Sequence, residues 1–206
     1  HTHMLNNEWL KLLEKHGRPR YTLKAVTGGL RAIHLDGARI FNALVETKES
    51  PLEIGSLFDS VSICLSKGLG APVGSLLIGN QDFIKKARRV RKVMGGGMRQ
   101  AGYLAAAGIF ALDNHVERLK EDNDRAKVLG KTLESLPWVE SVRPVTTNIV
   151  IFDLRAPLTA AEFLEKLAAQ GVKAAPFGVK TVRFVTHLDF TEEMLERTVA
   201  MLEKPI

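Results

Sequence analysis

The sequence lacks the features that mark several large protein classes. Its 206 residues include one cysteine, Cys64, so an internal disulfide framework is excluded. Aromatic residues make up only 6% of the chain. The apolar runs are short and interrupted, and this argues against a membrane span. No secretory signal pattern begins the sequence, and no histidine lies close to Cys64 along the chain. We therefore expect a cytoplasmic protein with an inert, buried thiol and no membrane partner.

Nucleotide-binding and nucleic-acid-binding motifs are also missing. The glycines of 68–74 fit neither the dinucleotide spacing nor a Walker loop. The net charge is +6, and positive charge is concentrated in the segment 85–92, where six of eight residues are lysine or arginine. A basic helix can neutralise phosphates, but this one lacks neighbouring aromatic residues that would stack on bases. We expect a solvated helix face and no nucleic-acid partner, with a non-enzymatic basic binding protein as the alternative.

The sequence does contain a lysine at the end of an apolar, β-prone run. Residues 58–65 favour a strand, and the glycines and proline of 68–74 allow the chain after Lys67 to turn and approach a ligand closely. Such surroundings predict partial desolvation of Lys67, which favours the neutral amine that imine chemistry needs. A strand-end lysine that simply extends into water is the alternative interpretation.

A carboxylate ends a second apolar run, in which residues 30–35 precede Asp36. Ligands of α/β proteins bind at the carboxyl ends of strands, so Asp36 and Lys67 can face one crevice. Pyridoxal phosphate requires such a pair, a lysine for the Schiff base and an acid that keeps the pyridine nitrogen protonated. The alternative for Asp36 is a capping role at the start of the following helix.

Three ordered motifs resemble the low-specificity L-threonine aldolases, a family of fold-type I pyridoxal phosphate enzymes. The motifs are Asp36-Gly-Ala-Arg39, the lysine loop Ser66–Ser75 and the glycine segment Gly95–Gly102. The resemblance runs from about residue 31 to near the C-terminus and includes the stretch 182–189. It implies a lyase that cleaves L-threonine or L-allo-threonine to glycine and acetaldehyde. A related pyridoxal phosphate β-eliminating lyase would share the lysine and the aspartate and is an alternative.

The resemblance also implies roles for particular residues. Lys67 would form the Schiff base, and Asp36 would pair with the pyridinium nitrogen. Arg39 and Arg183 would hold the carboxylate of a small amino-acid substrate. Lys92 and Arg99 would reach the cofactor phosphate region across a subunit boundary, in a homo-oligomer (dimer or tetramer) that associates through 95–102. The base that removes the β-hydroxyl proton is not assigned, and His115 and His187 are expected to be structural.

The implied architecture is α/β, with the C-terminal part of a large cofactor domain followed by a small α+β domain. We expect residues 1–30 to be an unassigned segment with a short helix over 6–16. Residues 31–136 form a partial cofactor domain with a connecting helix, and 137–206 form the small domain, with the order β-α-β-β-α. In 1–30 we recognise neither the small-residue phosphate loop nor the ring-stacking histidine of the family. We therefore expect that the family's N-terminal part is lacking and that this chain alone is a poor aldolase or none.

Overall fold

The computed structural model of this protein describes residues 23–25 and 32–204. The chain forms two compact units, divided between Val116 and Glu117. The helix predicted over 6–16 lies outside the described residues.

The first unit is built around a four-stranded sheet with the order β1-β2-β3-β4. Its strands are β1 (Leu23–Ala25), β2 (Ile33–Asp36), β3 (Ser60–Cys64) and β4 (Ser75–Gly79). Its helices are α1 (Ile40–Thr47), α2 (Pro51–Gly55), α3 (Gln81–Val93) and α4 (Gly102–Asn114). Strands β2 and β3 are parallel, and the other two pairs are antiparallel. A parallel pair requires a crossover connection, which α1 and α2 provide.

The β2–β3 pair has one apolar and one polar face because side chains alternate along a strand. Leu35 and Val61 are buried on the apolar face, where they pack with Ile40 and Leu44 of α1 and Ile54 of α2. The residues that alternate with Leu35 and Val61 along the two strands are polar. They form the opposite face: His34, Asp36, Ser60 and Ser62. The helices thus cover one side of the strands and leave the polar side chains on the other.

The second unit is an antiparallel sheet with the order β5-β6-β8-β7. Its strands are β5 (Val139–Val142), β6 (Ile149–Leu154), β7 (Ala175–Pro176) and β8 (Thr181–Val185). Its helices are α5 (Leu119–Glu134), α6 (Ala160–Ala169) and α7 (Glu192–Leu202). The observed order after α5 is β-β-α-β-β-α, which has one more strand at its start than the order expected from the sequence. The reason is that Val139–Val142 pairs with β6 as a separate strand.

Aromatic side chains form the centre of the second core. The ring of Phe152 meets the rings of Phe163 and Phe184 edge to face, with centroids 5.8 and 5.0 Å apart. Val182 and Phe184 of β8 are buried, and Arg183 between them lies on the other face of the sheet. This confirms the predicted orientation of Arg183 relative to its neighbours.

Helix α5 packs with the second unit rather than the first. Its buried residues include Leu119, Leu129 and Leu133, and it contacts β5, β6 and α7. The hydroxyl of Thr186 also donates to the carbonyl of Asp122 at 2.6 Å. The unit therefore begins at residue 117, whereas the sequence-based boundary after 136 placed this helix with the cofactor domain. The burial of its apolar side against the second sheet explains the difference.

A capping box begins α6 and provides a test of the second unit. Thr159 accepts the backbone N–H of Glu162 at 3.3 Å, and the Glu162 carboxylate accepts the N–H of Thr159 at 2.9 Å. We expect Thr159→Ala to lower the free energy of unfolding by about 1 kcal/mol, and Thr159→Ser to lower it much less. Trp138 reports on this unit because its ring packs against that of Phe163, with centroids 5.0 Å apart. Urea denaturation followed by the fluorescence of Trp138, in a Trp9→Phe background, therefore measures the change.

The same box predicts a pH dependence. Hydrogen bonds from the Thr159 hydroxyl and backbone lower the pKa of the Glu162 carboxyl below its usual value. A lowered folded-state pKa means that the stabilisation is complete above the unfolded pKa of about 4.3 and is lost as the pH falls through the lowered value. The difference between Thr159→Ala and the parent protein should therefore shrink below about pH 4. An equally large difference at pH 7 and pH 3 would contradict this account.

Candidate active site

Strands β2 and β3 end at the same edge of the first sheet. Asp36 pairs with Ser62 in the parallel register. The N–H of Gly37 lies 2.8 Å from the carbonyl of Ser62, which holds the two strand ends together. A Cβ at position 37 would lie only 2.9 Å from that carbonyl oxygen, so the close approach requires glycine. The chain leaving β2 is therefore fixed beside the end of β3.

Asp36 is exposed at this edge and does not cap helix α1. Its carboxylate accepts the N–H of Ala38 at 3.3 Å, a bond within the turn that follows the strand. The N-cap residue of α1 is Arg39, and no side chain provides a cap there. The capping alternative for Asp36 is therefore wrong for this helix.

The loop from 65 to 74 presents Lys67 just beyond the end of β3. The N–H of Leu65 donates to the carbonyl of Gly74, and the N–H of Ala71 donates to that of Leu65, both at 3.0 Å. Lys67 starts a tight turn, in which its carbonyl accepts the N–H of Gly70 at 2.9 Å. The φ of Gly70 is +72°, a left-handed conformation that favours glycine. The loop is thus held by its own backbone.

The side chain of Lys67 is exposed, which corrects the predicted partial desolvation. The reason is that the loop buries Leu65, Leu69 and Ala71 while its turn directs Lys67 outward. Cys64, at the end of β3, is likewise half-buried rather than buried. The hydroxyl of Ser75 donates to its sulfur at 3.6 Å.

Helix α4 anchors the lysine loop from one side. The Nδ1 of His115 lies 2.6 Å from the carbonyl oxygen of Leu69, and since a carbonyl only accepts, this nitrogen carries the donated hydrogen. A Cβ at Gly108 would lie 2.9 Å from the Cδ1 of Leu65, so the helix and the loop approach closely. The bond to Leu69 gives His115 the kind of structural role that was expected for it. His187, in the second unit, accepts the N–H of Asp189 at 3.2 Å.

A row of polar side chains beside Asp36 escaped the sequence analysis. The Nδ1 of His34 lies 2.8 Å from the Oγ of Ser60, and its Nε2 lies 3.3 Å from the Oγ of Ser62. Ser62 is also the register partner of Asp36. The alternation of Ser60, Ser62 and Cys64 with apolar residues is the signal that could have identified this face.

Three of the predicted site residues lie at the exits of β2 and β3, and two others lie in or after α3. Asp36 is the last residue of β2, the half-buried Arg39 lies in the turn that follows it, and Lys67 lies in the loop after β3. Lys92 lies in the last turn of α3, and Arg99 lies between α3 and α4. Both of their side chains are exposed.

Arg183 belongs to the second unit. Its guanidinium carbon lies 5.6 Å from the centroid of the Phe177 ring. The Arg183 Nε is buried and has no hydrogen-bond partner within the part of the chain that the structure describes. A buried N–H donor without an acceptor is costly, which is consistent with a site for an anion.

The first unit also contains an apolar cavity. It has a volume of about 560 Å³ and is lined by α1, α2 and the beginning of β3, including Phe41, Leu52 and Phe58. Neither Asp36 nor Lys67 lines it. Across residues 23–25 and 32–204, no three histidine, cysteine or acidic side chains form a metal-binding group. In the same ranges no helix is long and apolar enough to cross a bilayer.

Comparisons with known proteins point to one family. The beta-eliminating lyase family model matches residues 27–157. The low specificity L-threonine aldolase of Escherichia coli K12 is 48% identical over 171 residues, which cover 82% of this chain and 49% of that protein. A probable low-specificity L-threonine aldolase 2 of Arabidopsis thaliana is 41% identical over 175 residues, with 84% and 49% covered. The chain thus spans about half the length of the curated relatives it matches.

Solved structures are similar to this chain over nearly its whole length. A putative L-allo-threonine aldolase from Listeria monocytogenes has a TM-score of 0.67 at 22% identity and covers 94% of this chain and 54% of its own. The histidinol-phosphate aminotransferase of Clostridium acetobutylicum has a TM-score of 0.61 at 15% identity, with 97% and 59% covered. These likenesses confirm the predicted fold class, the fold-type I α/β architecture.

The close approach at Gly37 generates a prediction. Gly37→Ala should destabilise the first unit by about 1 to 3 kcal/mol, because the added Cβ must push β2 away from the Ser62 carbonyl. Gly55→Ala in α2 is the matched control, since a Cβ there has no neighbour within 4 Å. Hydrogen exchange of the 33–64 region measures both. Equal protection in the two variants would show that the Gly37 contact does not hold the strands.

Proposed function

Because the chain belongs to the beta-eliminating lyase family, we propose that it is part of a pyridoxal phosphate-dependent carbon–carbon lyase of the threonine aldolase type. The proposed reaction cleaves L-threonine or L-allo-threonine to glycine and acetaldehyde. The names of the relatives from Escherichia coli and Arabidopsis thaliana support this reaction. The single cysteine is consistent with a cytoplasmic location, which remains part of the proposal.

The observation that carries the proposal is the parallel pairing of β2 with β3. It brings the exits of the Asp36 strand and the Lys67 strand to one sheet edge, where α/β proteins bind ligands. An acid and an amine at one edge are the donor set that pyridoxal phosphate requires. Both side chains are exposed and so are open to an incoming cofactor.

The residues present fit this cofactor. Lys67 Nζ would hold it covalently, and the Asp36 carboxylate would keep the proton on its pyridine nitrogen. Bound pyridoxal phosphate supplies an electron sink for the charge that develops at the substrate Cα. Asp36 acts on that charge electrostatically, since a carboxylate favours the protonated, electron-accepting ring.

The substrate carboxylate would be held by Arg39 and Arg183. Two arginines that bind one carboxylate fix the orientation of the bonds at Cα, so that the Cα–Cβ bond is the one that breaks. The β-hydroxyl proton leaves as the carbonyl of acetaldehyde forms, and Cα gains a proton to give glycine. The buried, unpartnered Nε of Arg183 among the described residues supports a role in binding an anion.

The proposal includes a homo-oligomer, a dimer or tetramer, with sites near its subunit boundaries. In it, Lys92 and Arg99 would reach the phosphate of a cofactor bound to a neighbouring subunit. Large apolar side chains within and beside the glycine segment are between 62% and 86% exposed, which supports association there: Val93, Met94, Met98 and Tyr103. Helix α3 buries none of its residues among those described, so its basic side chains are available for such contacts.

A β-eliminating lyase is the second candidate, favoured by the family match itself. The two reactions share Lys67 and Asp36 but break different bonds. Product analysis separates them: the aldolase releases glycine from threonine, whereas a β-eliminating lyase acts on a substrate with a good leaving group at Cβ.

The proposed role of Lys67 predicts a colour change. The protein mixed with pyridoxal phosphate should turn yellow, and borohydride should bleach it irreversibly by fixing the cofactor to the amine. Lys67→Ala should bind the cofactor only reversibly and lose turnover. Lys131→Ala, at an exposed position of α5, is the control and should behave like the parent protein. Cofactor that remains fixed after borohydride treatment of Lys67→Ala would refute the assignment.

The proposed role of Asp36 predicts a loss of rate rather than of binding. In the protein loaded with pyridoxal phosphate, Asp36→Asn should lower kcat for glycine formation on the order of 10²-fold, because the lost charge acts mainly on the transition state. The KM for threonine should change much less. Asp36→Glu keeps the charge and should restore part of the rate. An unchanged kcat in Asp36→Asn would rule out the pairing with the pyridine nitrogen.

A further inference from the structure

A row of residues crosses the open face of the second sheet. The N–H of Arg143 donates to the carbonyl of Ile151 at 2.8 Å, and Ile151 is the register partner of Arg183. Arg183 in turn pairs with Ala175 of β7. Directly opposed residues of antiparallel strands share a face, so the Arg143 and Arg183 side chains emerge on the same side. The Cα atoms of the two arginines are therefore about 10 Å apart, with one strand between them.

Both guanidinium groups contact one aromatic ring. The guanidinium carbon of Arg183 lies 5.6 Å from the Phe177 centroid, and that of Arg143 lies 5.9 Å from it. These distances are within the range of cation–π attraction. The hairpin between β7 and β8 holds the backbone that carries this ring, because the N–H groups of Phe177 and Gly178 both donate to the carbonyl of Thr181, at 2.9 and 3.1 Å.

No carboxylate neutralises these arginines among the described residues. The nearest acidic residue along β6, Asp153, is bound by hydroxyl groups. It accepts from Thr181 at 2.6 Å and from Ser141 at 3.1 Å. The Nε of Arg183 is buried without a hydrogen-bond acceptor in the described part of the chain. This N–H donor and two unneutralised charges make the cluster suited to a carboxylate.

We propose that Phe177, Arg143 and Arg183 form a carboxylate-binding subsite in which Phe177 positions the Arg183 guanidinium and Arg143 supplies a second positive charge. The proposal deepens the substrate role of Arg183 and rests on it. Phe177 acts through Arg183: its ring holds the planar guanidinium in one orientation, which leaves the N–H donors aimed at the anion. Arg143 is exposed and acts mainly through its field, which salt screens.

The test is a titration of the cofactor-free full chain with sodium acetate, followed by the arginine Nε–H signals in NMR. Arg183→Lys identifies the Arg183 signal by removing it. In the parent protein this signal should shift and saturate with acetate. Phe177→Leu should weaken the fitted affinity about two- to fivefold, the size expected for an exposed cation–π contact. Phe177→Tyr, which keeps a ring, should restore it.

A second pair of variants tests the contribution of the Arg143 charge. Arg143→Gln should weaken acetate binding about twofold at low salt and have little effect at high salt. Arg197→Gln on α7 removes one exposed charge from the same unit and is the control. It should leave the affinity unchanged.

Three results would overturn the subsite: an Arg183 signal that acetate does not move, Phe177→Leu binding acetate as tightly as the parent, or Arg197→Gln matching Arg143→Gln. The readout needs no cofactor. The acetate titration can therefore fail while Lys67 still binds pyridoxal phosphate, or succeed while it does not, so the two proposals are tested separately.

Discussion

The parallel contact between β2 and β3 is the constraint on which the candidate site depends. The Gly37 N–H to Ser62 carbonyl bond, at 2.8 Å, closes the pair at its carboxyl end. Helices α1 and α2 make the parallel register possible by returning the chain along the apolar face, where Leu35 and Val61 are buried. Different residues therefore serve packing and binding. The apolar residues hold the strands together, and the polar residues that alternate with them remain available for binding a ligand.

In the second unit, too, the residues that pack the core and the proposed binding residue lie on opposite faces of the sheet. Its aromatic core fixes β8 through Val182 and Phe184, so the intervening Arg183 is held on the open face by residues that take no part in binding. The short hairpin from β7 then adds Phe177 beside that arginine. A rigid sheet thus presents a long, flexible side chain in a restricted orientation, which lowers the entropy lost when it binds an anion.

Much of the fold could be predicted from the sequence because its patterns are local. The run ending at Asp36 and the turn residues after Lys67 identified two strand exits, and alternation placed Arg183 opposite Val182 and Phe184. What could not be predicted depends on contacts between distant residues. The packing of α5 against the second sheet, the His115 bond to Leu69, the outward direction of Lys67 and the ring shared by Arg143 and Arg183 all arise from tertiary structure. The roles of Lys92 and Arg99 stay predictions.

Peptide mapping of the borohydride-reduced protein tests the central claim most directly. Trypsin cannot cleave after a modified lysine, so cofactor fixed on Lys67 should appear in the single peptide Glu49–Lys85, in which the cleavage after Lys67 has been missed. Sequencing of that peptide by mass spectrometry should locate the added mass on Lys67 alone. Reduced cofactor on another lysine, such as Lys92, with an unmodified 49–67 peptide, would contradict the account.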